Sequence, residues 1–298
     1  MTAVNQQDMT SRIATGNGFI AALDQSGGST PKALRAYGVQ DHEWSGDDQM
    51  YARIHEMRCR IIEAPSFSGD KVVGAILFEK TMDGLVGGKP TPHALIAKGV
   101  VPFIKIDKGL EDEADGVQLM KPMPDLDELL SRARALQVFG TKERSVINSA
   151  NPAGIAAVVA QQFEIGRQVL DAGLMPILEP EYSIKAPDRA AGEVILRDEI
   201  LKALDALPEG QQVMLKLSIP VVPGTYDALV NHPKVLKVVA LSGGFSRDEA
   251  CAELAKNKGM IASFSRALLE QLRAQQDDSA FDAVLAEAID AIHAASVA

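Results

Sequence analysis

Residues 211–220 read QQVMLKLSIP, an apolar run with a lysine, Lys216, near its end. The apolar positions are continuous rather than alternating, which suits a strand covered on both faces. A lysine is out of place there. Among apolar groups or beside other cations an ammonium loses stability, its pKa falls, and the free amine can attack a carbonyl to form a Schiff base. The commoner fates of such a lysine are to extend its head to water or to pair with a carboxylate. Both readings stay open until its neighbours are known.

Seven further runs resemble this one. They are 18–24 (GFIAALD), 71–79 (KVVGAILFE), 100–107 (VVPFIKID), 144–149 (RSVINS), 174–181 (LMPILEPE), 235–242 (VLKVVALS) and 260–265 (MIASFS), with 212–218 as the sixth in chain order. Helical patterns lie between them at 47–64, 126–138, 152–172 and 190–207. Another at 246–256 opens on a Ser246-x-x-Glu249 capping box. An Ala-rich amphipathic stretch at 281–297 reads as a last packing helix, and 108–124 as a long rim loop. Apolar strands alternating with helices predict a parallel sheet covered by helices. At this strand number and length the expected architecture is α/β, a (β/α)8 TIM barrel, with 1–298 forming one catalytic domain. An open doubly wound sheet is the alternative, but Asp24-Gln25-Ser26-Gly27-Gly28-Ser29 is not the glycine fingerprint of a dinucleotide site.

The 298 residues are 46% hydrophobic and 23% charged, enough for a large core. A net charge of −10 argues against nucleic acid or a membrane surface as a partner, so any phosphate must be held by a few placed cations. Two distant cysteines, Cys59 and Cys251, suit a reducing compartment. Residues 1–25 carry no leader pattern, and no apolar run approaches the roughly 18 residues of a membrane span. The expectation is a cytoplasmic protein.

Side chains two apart on a strand share a face. At that spacing the strand ends carry Lys105 with Asp107, Glu179 with Glu181, and Lys216 with Ser218, while Asp24 ends the first strand. Lys142 and Arg144 have the same spacing at the start of the fourth strand, where they reach either the mouth or the opposite rim. Barrel active sites collect at the C-terminal strand ends. There a carboxylate pair would carry protons through carbinolamine formation and dehydration, and Lys142 would add like-charge repulsion to Lys216. The competing reading is a structural ion-pair network closing the barrel top, in which Glu181 orients Lys216 or Lys142 and Asp107 pairs with Lys105. After strands seven and eight, Ser242-Gly243-Gly244 offers a hydroxyl and glycine backbone amides, and Ser263-Phe264-Ser265-Arg266 opens a short helix and adds a guanidinium, the usual phosphate site of barrels. The five histidines are scattered, so no metal-ligand cluster or Ser-His-Asp triad is expected.

With these residues in view, the chain resembles a class I fructose-1,6-bisphosphate aldolase from about residue 18 to 269. The motifs that carry the resemblance are Ala22-Leu23-Asp24-Gln25-Ser26, Ile104-Lys105-Ile106-Asp107-Lys108-Gly109, Pro176-Ile177-Leu178-Glu179-Pro180-Glu181, Leu215-Lys216, Leu241-Ser242-Gly243-Gly244 and Ser265-Arg266-Ala267-Leu268. The resemblance implies that Lys216 is the Schiff-base lysine, Glu179 the acid and base of dehydration, and Glu181 a neighbour of the amine. It implies that Asp24 and Lys142 handle the hydroxyls near the scissile bond. Ser242, Gly243 and Arg266 would hold the C1 phosphate, while Lys105, Arg144, Ser26 and Ser29 would face the C6 phosphate. It further implies no cofactor, no metal, a phosphosugar substrate and a homo-oligomer. A Schiff-base aldolase for a related sugar phosphate, and a phosphosugar-binding barrel without turnover, are the alternatives. Gln25 stands where animal members carry glutamate, Ala33 where they carry a basic residue, and Ser265 where they carry glycine. No tyrosine follows Tyr226, so the chain resembles the shorter, bacterial-type branch.

Overall fold

The computed structural model describes residues 6–298, so the first five positions of the 1–25 stretch and of the expected 1–298 domain lie outside it. Eight strands pair in parallel and in chain order: β1 (Phe19–Leu23), β2 (Val72–Leu77), β3 (Val101–Lys105), β4 (Gly140–Ile147), β5 (Met175–Tyr182), β6 (Val213–Ser218), β7 (Val235–Leu241) and β8 (Ile261–Ala262). The ring closes where the Ala22 amide donates to the Phe264 carbonyl at 3.1 Å. This is the expected barrel of parallel strands with helices outside.

Strand alternation divides the interior in two. Ile20, Val73, Phe103, Phe139, Ile177, Met214, Val239 and Ile261 fill the lumen towards the N-terminal strand ends, and Phe103 meets Phe139 edge to face at 5.4 Å. Two to four residues further along the chain the lumen side chains become Asp24, Lys105, Lys142, Glu179 and Lys216. The other strand face packs on the helices in a larger apolar layer that includes Leu23, Leu77, Ile104, Leu178, Leu215 and Ala240.

The helical patterns appear where expected, with ends moved by a few residues: Gly46–Glu63, Leu126–Ala135, Pro152–Asp171, Arg189–Asp205, Arg247–Leu254 and Asp278–Ser296. The Ser246–Glu249 capping box forms, with the Ser246 hydroxyl accepting from the Glu249 amide. Strand four differs from the expected 144–149. It begins at Gly140, so Lys142 and Arg144 lie within it rather than at its start. Polar residues on the lumen side and apolar cover outside masked that beginning. The 108–124 stretch folds over the rim and places Val117–Gln118 antiparallel to the end of β4.

Helix α1 (Gln6–Thr15) was not anticipated, because its apolar content is low. It buries Met9 and Ile13 against the lumen cluster and so plugs the barrel floor. Ile13 is fully buried, and Ile13→Ala is expected to cost about 2–5 kcal/mol by opening a cavity against Val73 and Phe103. Chemical denaturation checks this, and an unchanged midpoint would show that the helix is only an appendage.

Candidate active site

The fourth and fifth strands build the site through one repeated diagonal. In their parallel register Lys142 lies opposite Ile177 and Arg144 opposite Glu179. Each cation leans along the strand to the carboxylate two residues further on the same face. Lys142 Nζ thus lies 2.6 Å from Glu179 Oε2, and Arg144 Nε donates to Glu181 Oε2 at 2.5 Å. Lys142 also donates to Asp24 Oδ2 at 3.0 Å and lies 4.0 Å from Asp107 Oδ2. Lys216 Nζ stands 3.2 Å from Glu179 Oε1, so Glu179 bridges the two lysines.

Lys142, Glu179 and Lys216 are each at most 4% exposed. Burial opposes the charge on Lys142, but Asp24, Glu179 and Asp107 outweigh it and hold the ammonium well above the usual lysine range. Burial likewise opposes ionisation of Asp24, yet Lys142, Lys216 and Lys105 hold its carboxyl well below the carboxylate range. At neutral pH Lys142 is a fixed cation and Asp24 a fixed anion. Lys105 donates to the Asp107 carboxylate at 2.7 Å and to the Asp107 carbonyl at 2.8 Å.

The structure therefore brings together Asp24, Lys105, Lys142, Glu179 and Lys216. It places Glu181 elsewhere than beside the Lys216 amine, because the strand register delivers Arg144 to it. Ser242, 7% exposed, directly follows β7, and Gly243 and Gly244 come next at φ of +60° and +126°, a left-handed pair that side-chain-bearing residues adopt only with strain. The Arg266 guanidinium lies over this turn, with Nη2 3.4 Å from where a Gly244 Cβ would stand. Ser26 and Ser29 bond to each other in an exposed turn after β1, the Ser29 hydroxyl donating to the Ser26 carbonyl at 2.8 Å. Among the described residues no group of three or more His, Cys, Asp or Glu could hold a metal ion.

Two supporting residues escaped the sequence reading. Gln162 of the 152–171 helix donates to Ser145 Oγ at 3.0 Å and accepts from the Glu179 amide at 3.2 Å, fixing the backbone that carries Glu179. Its signal was available, a glutamine inside the apolar stripe of Ile155, Val158, Val159 and Phe163. Glu143 is fully buried on the opposite strand face from Lys142 and Arg144, beside Thr141 on its own face of β4. No signal marked it, because its neighbours already read as a polar mouth.

Known proteins show which family carries this sequence and fold. The family model described as fructose-bisphosphate aldolase class-I matches residues 6–216. A class 1 fructose-bisphosphate aldolase from Synechocystis sp. is 52% identical over 298 residues, covering 100% of this chain and 99% of the relative. The chain belongs to the class I fructose-bisphosphate aldolases. Among solved structures, the Plasmodium falciparum fructose-bisphosphate aldolase, in complex with TRAP and a small-molecule inhibitor, superposes with a TM-score of 0.77 at 19% identity, covering 98% of this chain and 93% of that one. A Corynebacterium glutamicum protein superposes with a TM-score of 0.53 at 17% identity, covering 99% and 94%. At those identities the likeness is one of fold.

Burial, with repulsion from Asp107, raises the Glu143 carboxyl well above its ordinary value of 4.5, so folding favours its protonated form. The unfolded chain releases that proton first, and stability is lost progressively as pH rises above about 4.5 towards the folded value. Glu143→Gln keeps the shape and removes the titration. Its stability advantage over the native chain is expected to be small at about pH 5 and larger at about pH 8. Denaturation midpoints at the two pH values test this, and an advantage that shrinks with pH contradicts it.

Proposed function

We propose that this chain cleaves fructose 1,6-bisphosphate reversibly to dihydroxyacetone phosphate and glyceraldehyde 3-phosphate through a Schiff base on Lys216. The observation that carries the assignment is the unequal treatment of two buried lysines. Lys142 is clasped by Asp24 and Glu179, with Asp107 at 4.0 Å, and stays an ammonium. Lys216 meets Glu179 at 3.2 Å. With Lys142 committed as a cation, Lys216 is the lysine we assign to attack the carbonyl, and Glu179 is in place beside it to carry protons.

The free Lys216 amine adds to the C2 carbonyl and gives a carbinolamine. Glu179, now protonated, donates to the departing hydroxyl, which leaves as water with formation of the iminium. Asp24 is positioned as the base for the C4 hydroxyl. As that proton leaves, the C3–C4 bond breaks, its electron pair passes to the iminium as an enamine, and the aldehyde departs. Lys142 stays charged throughout and stabilises the negative oxygen atoms that develop around Asp24 and Glu179. Protonation of the enamine at C3 and hydrolysis release the second product.

Ser242, Gly243, Gly244 and Arg266 suit the C1 phosphate through a hydroxyl, turn amides and a guanidinium. Lys105, Arg144, Ser26 and Ser29 suit the C6 phosphate. Lys105 and Arg144 are neutralised by Asp107 and Glu181 in the free protein, so binding there exchanges a carboxylate for a phosphate. Among the described residues no helix is long and apolar enough to cross a membrane. We place the whole chain as one catalytic unit of a cytoplasmic homo-oligomer, in keeping with the family.

Borohydride added with dihydroxyacetone phosphate should fix the substrate to Lys216, as read by peptide mapping. An adduct on Lys142, or none, would sink the assignment. Cleavage should also survive EDTA.

A further inference from the structure

Behind Asp24 lies a second buried cation that the reaction above does not use. Arg58, on the 46–63 helix, is fully buried. Its Nη1 donates to Thr81 Oγ1 at 2.6 Å, and its Nη2 to the Gln25 carbonyl at 2.5 Å and to Gln25 Oε1 at 3.2 Å. A guanidinium has donors and no acceptor, so it fixes which way the Gln25 amide faces and turns Nε2 outward. That nitrogen donates to Ser265 Oγ at 2.5 Å. Ser265 directly precedes Arg266, and its carbonyl accepts the Leu268 and Leu269 amides at 3.1 and 3.3 Å.

The link crosses the barrel seam. β8 is two residues long and pairs with β7, and beside it the Ala22 amide reaches the Phe264 carbonyl. Gln25 supplies a side-chain tie one residue beyond that backbone bond. It ties the end of β1, which carries Asp24, to the turn that aims the exposed Arg266 guanidinium over Gly244.

We propose that Arg58 and Gln25 are positioning residues that hold Ser265, and through it Arg266, at the phosphate-binding turn of Ser242, Gly243 and Gly244. The inference rests on the phosphosugar reading above. Free in solution, an arginine on a four-residue helix would sample many orientations; anchored through its neighbour, it meets the phosphate with less ordering left to do.

Gln25→Met keeps the length of the side chain but removes its hydrogen bonds to Arg58, Ser265 and the Ala22 carbonyl. It is expected to raise the inhibition constant of inorganic phosphate and KM for fructose 1,6-bisphosphate by about tenfold, the effect of one hydrogen bond. In the same variant kcat should change by less than about threefold and borohydride trapping at Lys216 should persist. Ser265→Ala should do the same, and the double variant should be no worse than either single one. Gln25→Glu, which can accept from both Arg58 and the Ser265 hydroxyl, should restore the native constants. Inhibition within about twofold of native in either single variant, a loss confined to kcat, or full additivity in the double variant would overturn the proposal. Should Gln25→Met fail to fold, Ser265→Ala decides alone, since it removes one hydroxyl from a partly exposed site. A native protein that neither cleaves the substrate nor responds to phosphate would instead refute the functional reading.

Discussion

A buried ammonium shared by carboxylates holds the mouth of this barrel together. Lys142, 3% exposed, takes Asp24 from β1 and Glu179 from β5 and approaches Asp107 beyond β3, so four separate segments of the ring meet at one charge. Removing any one partner would strand the others in a poorly solvated place, which is the most costly arrangement for buried charge. The ion-pair network anticipated as a rival to catalysis is thus present. It commits Lys142 to the charged state and leaves Lys216 beside Glu179, the division on which the proposed mechanism rests.

The apolar lower lumen serves this arrangement. Phe103, Phe139, Ile177 and Met214 occupy the positions just below the charged layer, capped from underneath by Met9 and Ile13. Their close packing gives the strand ends little freedom to drift, and strong ion pairs need that fixity to offset desolvation. The seam between β8 and β1 is thinly paired, and there the Arg58, Gln25 and Ser265 side chains add hydrogen bonds to the Ala22–Phe264 backbone link.

Much of this was legible in the chain. Continuous apolar runs alternating with helical patterns announced a parallel barrel, since strands covered on both faces need no polar alternation. Two-residue spacing correctly put Lys105 with Asp107, and Lys216 in the same mouth as Glu179. The start of β4 was less legible, because Lys142, Glu143 and Arg144 look like a solvated charge run until both strand faces are known to be buried. Helix α1 was missed for a related reason: only two of its residues meet the core. Glu181 was assigned to the wrong cation, since which diagonal a side chain takes depends on the stagger between neighbouring strands.

By itself, then, the sequence determined which residues are apolar, which are charged, and the order and period in which they recur; local sterics and hydrophobic burial act directly on those properties, so element type and fold class followed. Only the tertiary structure decided which lysine is clasped by carboxylates, that Glu143 is fully buried, and that Gln25 and Ser265, 240 residues apart, touch. Those outcomes depend on strand register and barrel closure. Both are collective results of packing the whole ring, and no local stretch of chain encodes them.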